Sequence, residues 1–325
     1  MRTNREKYSI AVIGVYFGKL PEYFNLWLKS CEYNKDVSFI VFGDMLGGEK
    51  PENVQFISMK IEQMKALADK KLGLNTGLST PYKCCDFRPA YGIIFEDYLK
   101  GYDFWGHCDF DVIFGNIRGF INEEILYEFD KVLPMGHLSL YRNTPECNSY
   151  YKLPGSTCGD YKKVFESEKH YGFDEWSGIY KIYKANNLKM YDERIFADIS
   201  VLYTRLRRSL KDKNYKNQAF YWENGKVLRA YSDKGRIKSD EFIYIHFQKR
   251  GFKNTVKNPT AGFYITPNGF CDKKTQDIPQ EAEVKAMNPY NIGIEAKDKL
   301  KKWIFDDAKI ELRKLKRCIL KRKTR

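Results

Sequence analysis

Residues 8–17 are almost wholly β-branched, small or aromatic, the pattern of a strand buried on both faces. The run ends at Gly18. Pro21 then stands where a helix over residues 22–33 should begin, since its fixed φ and missing N–H suit a first turn. Residues 37–42 make the next apolar run, closed by Gly43 and Asp44, and residues 54–58 a short third. Helical spacing covers residues 61–72 and 86–99, the second with Pro89 in its first turn. Residues 102–107 form an aromatic strand that runs into an acidic cluster. Strands alternating with helices predict an α/β fold with a mainly parallel sheet covered on both faces. Ligands of such sheets bind beyond the carboxyl ends of the strands.

The second half is less regular. Residues 131–141 read as a strand pair or a strand and turn, 172–187 as a loop and helix, and 226–230 and 242–247 as late strands. Residues 251–277 are rich in Gly, Pro, Asn and Thr and are expected to form a loop-rich flap. A helix starting near Glu295 is expected to run to the C-terminus.

Composition narrows the class. A chain of 325 residues, 43% hydrophobic and 16% aromatic, has material for about two folding units and is not disordered. Its apolar runs fall short of the ~20 residues that cross a bilayer, and the N-terminus lacks the apolar core of a secretory signal. A cytoplasmic protein is expected. The eight cysteines include no C-x-x-C pair, which excludes zinc ribbons and fingers and predicts free thiols. Of the net charge of +14, the segment 297–325 alone holds 13 Lys/Arg against 4 Asp/Glu. The basicity belongs largely to the tail, so no nucleic-acid partner is expected for the body.

The densest chemistry is Phe104-Trp105-Gly106-His107-Cys108-Asp109-Phe110-Asp111 at the end of a predicted strand. Two carboxylates at i and i+2 where the chain turns can converge on one hard cation, and a divalent ion suits a diphosphate. An isolated Asp-X-Asp is equally the mark of a solvated turn. P-loop, dinucleotide-binding, nucleophile-elbow and zincin motifs are absent, which weighs against those enzyme classes.

The surrounding sequence adds a second motif. Tyr82-Lys83-Cys84-Cys85-Asp86-Phe87-Arg88-Pro89, followed by the strand from Phe104 to Asp111, resembles the nucleotide-sugar half of GT-A glycosyltransferases. It is most similar to bacterial transferases of polysaccharide assembly that share a K-x-x-D-F-[KR]-P helix before a W-G-H-x-D-x-D strand. The resemblance spans roughly residues 8–118. It implies a GT-A-like, Rossmann-type mixed sheet flanked by helices, with Asp111 ligating Mn²⁺ or Mg²⁺. Asp109 would hold the metal through water or contact the ribose, and Lys83, Asp86 and Arg88 would lie near the nucleotide or the sugar.

Further along, the apolar run at Phe242–Phe247 carries His246, with Lys249 and Arg250 after it. A neutral imidazole suits a transition metal and a cation suits a diphosphate. Glycogenin-like GT-A enzymes place a metal-binding His and a phosphate-contacting Lys in this order, so His246 is a candidate third ligand and Lys249 a donor contact. Asp174 and Glu175, in a Gly-flanked loop, resemble the acceptor-side carboxylates of GT-A enzymes, and either could take a proton from an acceptor hydroxyl. Trp176 could stack on a sugar face, and His137 could line the acceptor cleft.

In the tail, Leu300, Ile304, Ala308, Leu312, Leu315 and Ile319 recur at helical steps beside Trp303 and Phe305, and residues 309–325 hold nine cations against one Glu. That is the pattern of an amphipathic helix on an anionic membrane. A helix packed on the body would show it too. The expected organisation is a donor half (1–118), an acceptor half (119–294) and a basic helix (295–325). The expected function is metal-dependent sugar transfer from a nucleoside-diphosphate donor, a UDP-sugar foremost, to a glycan or lipid-linked glycan at the inner membrane face. A nucleotidyltransferase or a non-enzymatic polybasic membrane or polyanion binder are the alternatives.

Overall fold

The computed structural model describes residues 7–209, 213–248, 250–275 and 277–304. In chain order the strands are β1 (Ile10–Tyr16), β2 (Ser38–Gly43), β3 (Val54–Ser58), β4 (Phe104–Cys108), β5 (Val112–Phe114), β6 (Lys131–Val132), β7 (Leu138–Arg142) and β8 (Met190–Tyr191). They continue with β9 (Ala197–Asp198), β10 (Gln218–Glu223), β11 (Lys226–Asp233), β12 (Arg236–Phe242), β13 (Tyr244–His246), β14 (Lys253–Asn254), β15 (Phe263–Thr266) and β16 (Gly269–Asp272). The chain forms two compact units. The first comprises the residues up to Ala197 with Asn224–Val227 and Phe242–His246; the second holds Asp198–Glu223, Leu228–Glu241 and the chain from Phe247 on.

The first unit is built on a seven-stranded sheet of order β3-β2-β1-β4-β7-β6-β8, with helices against it. Successive residues of β1 go to opposite cores, as a two-sided sheet requires. Ala11 and Ile13 join Ile40, Phe42, Trp105 and Tyr141 in one. Ile10 and Val12 join Phe39, Val41, Phe104 and Leu140 in the other. Helix Phe24–Glu32 adds Phe24, Trp27 and Cys31 to the second core, and helix Ile61–Leu72 adds Met64 and Ala68 to the first. β3, β2, β1 and β4 are parallel, but β7 runs antiparallel to both β4 and β6. The sheet is therefore mixed, as the resemblance implies, and with β6 and β8 also parallel most of its pairs keep the expected parallel sense. The short β6–β7 link leaves no room for the crossover that a parallel pair needs.

The single helix expected over residues 86–99 is instead four short turns, Cys84–Phe87, Arg88–Ala90, Tyr91–Ile94 and Glu96–Tyr98. Pro89 offers no N–H, and Gly92 lies so close to Trp105 and Asn148 that a Cβ there would come within 2.5 Å of each. The chain bends to keep that contact, and Trp105 Nε1 donates to Asn148 Oδ1 at 2.6 Å.

The second unit carries a six-stranded sheet, β12-β11-β10-β15-β16-β14. Its core gathers Ala219, Tyr221, Ala230 and Tyr264 with Val284 of helix Glu281–Met287. Residues 251–277 supply three of these strands and are not a loop-rich flap. The Pro267-Asn268 turn closes the β15–β16 hairpin, and Gly269, the first residue of β16, has φ +128° with its Cα packed on the Lys253 backbone.

A helix over residues 292–304 opens with Asn291 Oδ1 accepting from Ile294 N at 3.0 Å. Its buried positions are acidic. Asp298 accepts from Thr204 N at 2.7 Å, and Glu295 is ion-paired with Arg207. Leu300, Trp303 and Ile304 are exposed at 56%, 64% and 53%. Residues 305–325, with the remainder of the expected amphipathic helix, lie outside the described residues. No helix among the described residues is long and apolar enough to cross a membrane. The described cysteines are all free thiols.

Candidate functional site

The site lies in the first unit at the carboxyl end of β4. Phe110, between the two aspartates, is committed to the core. Its ring meets those of Trp27 at 4.9 Å, Tyr16 at 5.2 Å and Phe24 at 5.8 Å. Gly14 makes the room, because a Cβ there would lie 2.6 Å from Phe110 Cζ. With Phe110 anchored, Asp109 and Asp111 are left at the strand end, both partly exposed.

β13 brings the third group. It pairs antiparallel with β5 so that His246 stands opposite Val112, next to Asp111. His246 Nε2 lies 3.4 Å from Asp111 Oδ1 and 3.9 Å from Asp109 Oδ2. One ligand atom from each of Asp109, Asp111 and His246 falls within 4.8 Å of the others. Two carboxylates and an imidazole are a donor set that a divalent ion such as Mn²⁺ can use.

His137, expected along an acceptor cleft, sits behind His246. It is 2% exposed, its ring stacks on that of His246 at 4.3 Å and 21°, and Nδ1 meets Tyr244 Oη at 2.6 Å. This buried imidazole orients the outer one. His107 of the strand motif is fully buried too, where burial and the nearby Arg88 push its pKa well down and keep it neutral.

Arg88 is the centre of the arrangement. Its Nη1 donates to Asp174 Oδ2 at 2.9 Å and to the Gly136 carbonyl at 3.2 Å, while Nη2 is bonded to Asp109 Oδ1. The guanidinium thus touches a carboxylate of the strand end and a carboxylate of the Gly172–Gly178 loop, and is enclosed by them. Asp174 is 2% exposed. Burial pushes its pKa up, opposed chiefly by Arg88. Glu175 is also raised, by burial first and by the adjacent Asp174 second. Gly136 lies against both, since a Cβ would sit 2.5 Å from Asp174 Oδ2 and 2.8 Å from Glu175 Oε1. A larger residue there would have to displace these carboxylates.

Lys83 and Asp86, expected near a nucleotide or sugar, are fully buried and bonded to each other at 2.9 Å. Lys83 Nζ also donates to the carbonyls of Val164 and Lys169, and Asp86 accepts from the N–H groups of Tyr171 and Phe173. The pair pins the loop that carries Asp174 and Glu175. Trp176 on that loop is 41% exposed and packs edge-on to Tyr180 at 4.4 Å. Lys249 lies outside the described residues.

Three contributors were missed in the sequence. Tyr16, the last residue of β1, and the buried Tyr23 both feel the charge of Asp111, which adds to burial in raising their pKa values. A strand-terminal tyrosine beside the acidic strand was the available signal. Lys131 is fully buried, and burial lowers its pKa to about 7. It donates to Ser139 Oγ at 2.8 Å and to the Leu133 carbonyl, holding a link in which Leu133 has φ +70° and Gly136 reaches the carboxylates.

Residues Val12 to Lys274 match one family model. The chain belongs to DUF6625, a family of unknown function. No curated protein matches this family member. Among solved structures it is similar to the galactosyltransferase LgtC in complex with donor and acceptor sugar analogues, at 10% identity and TM-score 0.35, over 58% of this chain and 75% of LgtC. It is similar also to the glycosyltransferase GlyE of Streptococcus pneumoniae TIGR4, at 10% identity and TM-score 0.33, over 58% of this chain and 46% of GlyE. Mouse xyloside xylosyltransferase 1 matches at 10% identity and TM-score 0.33, over 60% and 88%. Likeness this loose carries no function to the DUF6625 chain, which has to be read from its site.

Proposed function

We propose that this protein is a metal-dependent glycosyltransferase of the GT-A type, taking a sugar from a nucleoside-diphosphate donor to a glycan or lipid-linked glycan in cell-surface polysaccharide biosynthesis. One observation carries the reading: Asp109, Asp111 and His246 bring three ligand atoms within 4.8 Å of one another at a strand end, with a carboxyl pair joined to them through Arg88.

Asp109, Asp111 and His246 would hold Mn²⁺ or Mg²⁺, and a bound ion would neutralise the diphosphate and the departing nucleotide. The chain's own part is positional and acid–base. Arg88 fixes one oxygen of Asp109, so its other oxygen keeps a set direction toward His246. Asp174 is held by Arg88 and serves to place the loop. Glu175 is then the carboxylate that accepts the acceptor hydroxyl's proton, and a raised pKa makes its ionised form the stronger base. Trp176 offers an exposed ring to the acceptor sugar. Lys249 would contact the diphosphate, and Tyr16 and Tyr23 would border the donor. Residues 1–118 would carry the donor side and 119–294 the acceptor side.

The tail would dock on an anionic membrane at the inner face of the cell membrane. Leu300, Trp303 and Ile304 already face outward, and 13 cations lie in the last 29 residues. A screen of nucleotide sugars by thermal shift, with and without Mn²⁺, tests the enzymatic reading. At least one donor should raise the melting temperature only when the metal is present. No metal-dependent shift with any donor would overturn it.

A further inference from the structure

Arg205, in the second unit, is a buried cation without a counter-charge among the described residues. Only 5% of it is exposed. Nη2 donates to the Tyr215 carbonyl at 3.2 Å, and the buried Nε has no hydrogen-bond partner among the described residues. The neighbouring arginines are provided for. Arg207 pairs with Glu295, Arg229 pairs with Asp240, and Arg250 donates to the carbonyls of Ser200, Tyr203 and Thr204. Arg205 instead has Arg207 beside it, and that second positive charge adds to burial in lowering its pKa to about 10.

The burial is imposed by the fold. Asp298 holds Thr204 through its N–H at 2.7 Å and its hydroxyl at 3.1 Å. Asn288 holds both the N–H and the carbonyl of Leu206 at 2.9 Å. With both chain neighbours held, the backbone at Arg205 is fixed. Its guanidinium lies 5.5 Å over the ring of Tyr290, and the ammonium of the exposed Lys216 lies 5.1 Å over the same ring. Two cations converge on one partly exposed aromatic ring, and no acid among the described residues balances them. An enclosed, unpaired charge is retained at a cost in stability, which a bound anion offsets.

We propose that Arg205, with Lys216 and Tyr290 beside it, forms a binding site for a phosphate group. A guanidinium fork matches phosphate oxygens, and a phosphate monoester carries close to two negative charges, one for each cation. The phosphate could belong to a free ligand or to a lipid headgroup. The helix over residues 292–304, with its outward apolar side chains, begins two residues after Tyr290.

The test is titration of the full chain with inorganic phosphate in EDTA, followed by ³¹P NMR, so that no metal-held phosphate at the carboxylate site contributes. The wild type should bind phosphate. Arg205→Gln should weaken binding about tenfold or more, the size of a lost charge-assisted bond, while Asp111→Asn leaves it unchanged. Lys216→Ala, at an exposed position, should weaken binding severalfold and serves if Arg205→Gln does not fold by circular dichroism. No binding by the wild type, or equal binding by wild type and folded variants, overturns the site. Sedimentation with phosphatidylcholine vesicles, with and without phosphatidic acid, separates the sources. Phosphatidic-acid-dependent binding that Arg205→Gln removes and free phosphate displaces assigns a headgroup. Vesicle binding indifferent to both, beside lost phosphate binding in the variant, assigns a free ligand.

Discussion

Arg88 donates to Asp174 at 2.9 Å inside the first unit, and both side chains are almost fully enclosed. That bond commits Asp174 to structure. It also means that removing either partner strands a buried charge, which costs about 3–5 kcal/mol. Arg88→Met should therefore lower the unfolding free energy by about that amount, measured by urea denaturation without metal. Asp174→Asn should cost less, because the amide oxygen can still accept from Nη1. A loss below about 1 kcal/mol for Arg88→Met would mean that the pair is not formed.

Glu175 gives a pH signature. Burial and the neighbouring Asp174 raise its pKa, so its folded form favours the neutral carboxyl. A raised folded pKa contributes stability that is present below the ordinary carboxylate range and is lost as pH rises through the raised value. Glu175→Gln removes that loss. In EDTA its melting temperature relative to wild type should climb from about pH 5 to about pH 8.5. A difference that stays flat over that window would show that Glu175 is ordinarily solvated.

Much of this is legible in the sequence. The alternation of buried strands and helices gave the α/β sheet, because a two-sided strand has a distinctive run of apolar residues. Asp109 and Asp111 stand together after a strand, and His246 could be grouped with them through the resemblance to glycogenin-like GT-A enzymes, which place a metal-binding His late in the chain. Lys83 and Asp86 could not be placed. A cation and an acid at i and i+3 look the same whether they face a ligand or a loop, and their other partners are backbone groups of Val164, Lys169, Tyr171 and Phe173, which leave no mark in composition. The burial of His137 against His246 was not legible for a related reason, since nothing local tells an exposed imidazole from one stacked behind another. The strands in residues 251–277 were hidden by their Gly, Pro and Asn, although Pro267-Asn268 between Phe263–Thr266 and Gly269–Asp272 was a turn signal.

The tail can be tested separately. Deleting residues 309–325 should release the protein from anionic vesicles and leave donor binding unchanged. Intact protein should bind less at high salt, because screening at ~1 M shortens the reach of its charges to about 3 Å. Equal co-sedimentation of full-length and truncated chains would place membrane attachment elsewhere or rule it out.

The central claim is that Asp109, Asp111 and His246 form a metal site that serves a nucleoside-diphosphate donor. The most direct measurement is isothermal titration of Mn²⁺ and then of the donor into wild type, Asp111→Asn and His246→Ala, with circular dichroism as the check on folding. An amide cannot neutralise the cation, so Asp111→Asn should bind neither metal nor donor tightly while remaining folded. His246→Ala should need more metal for the same donor affinity, by a factor corresponding to about 1.5–3 kcal/mol at most. Wild-type Mn²⁺ binding and donor affinity in folded Asp111→Asn would contradict the account.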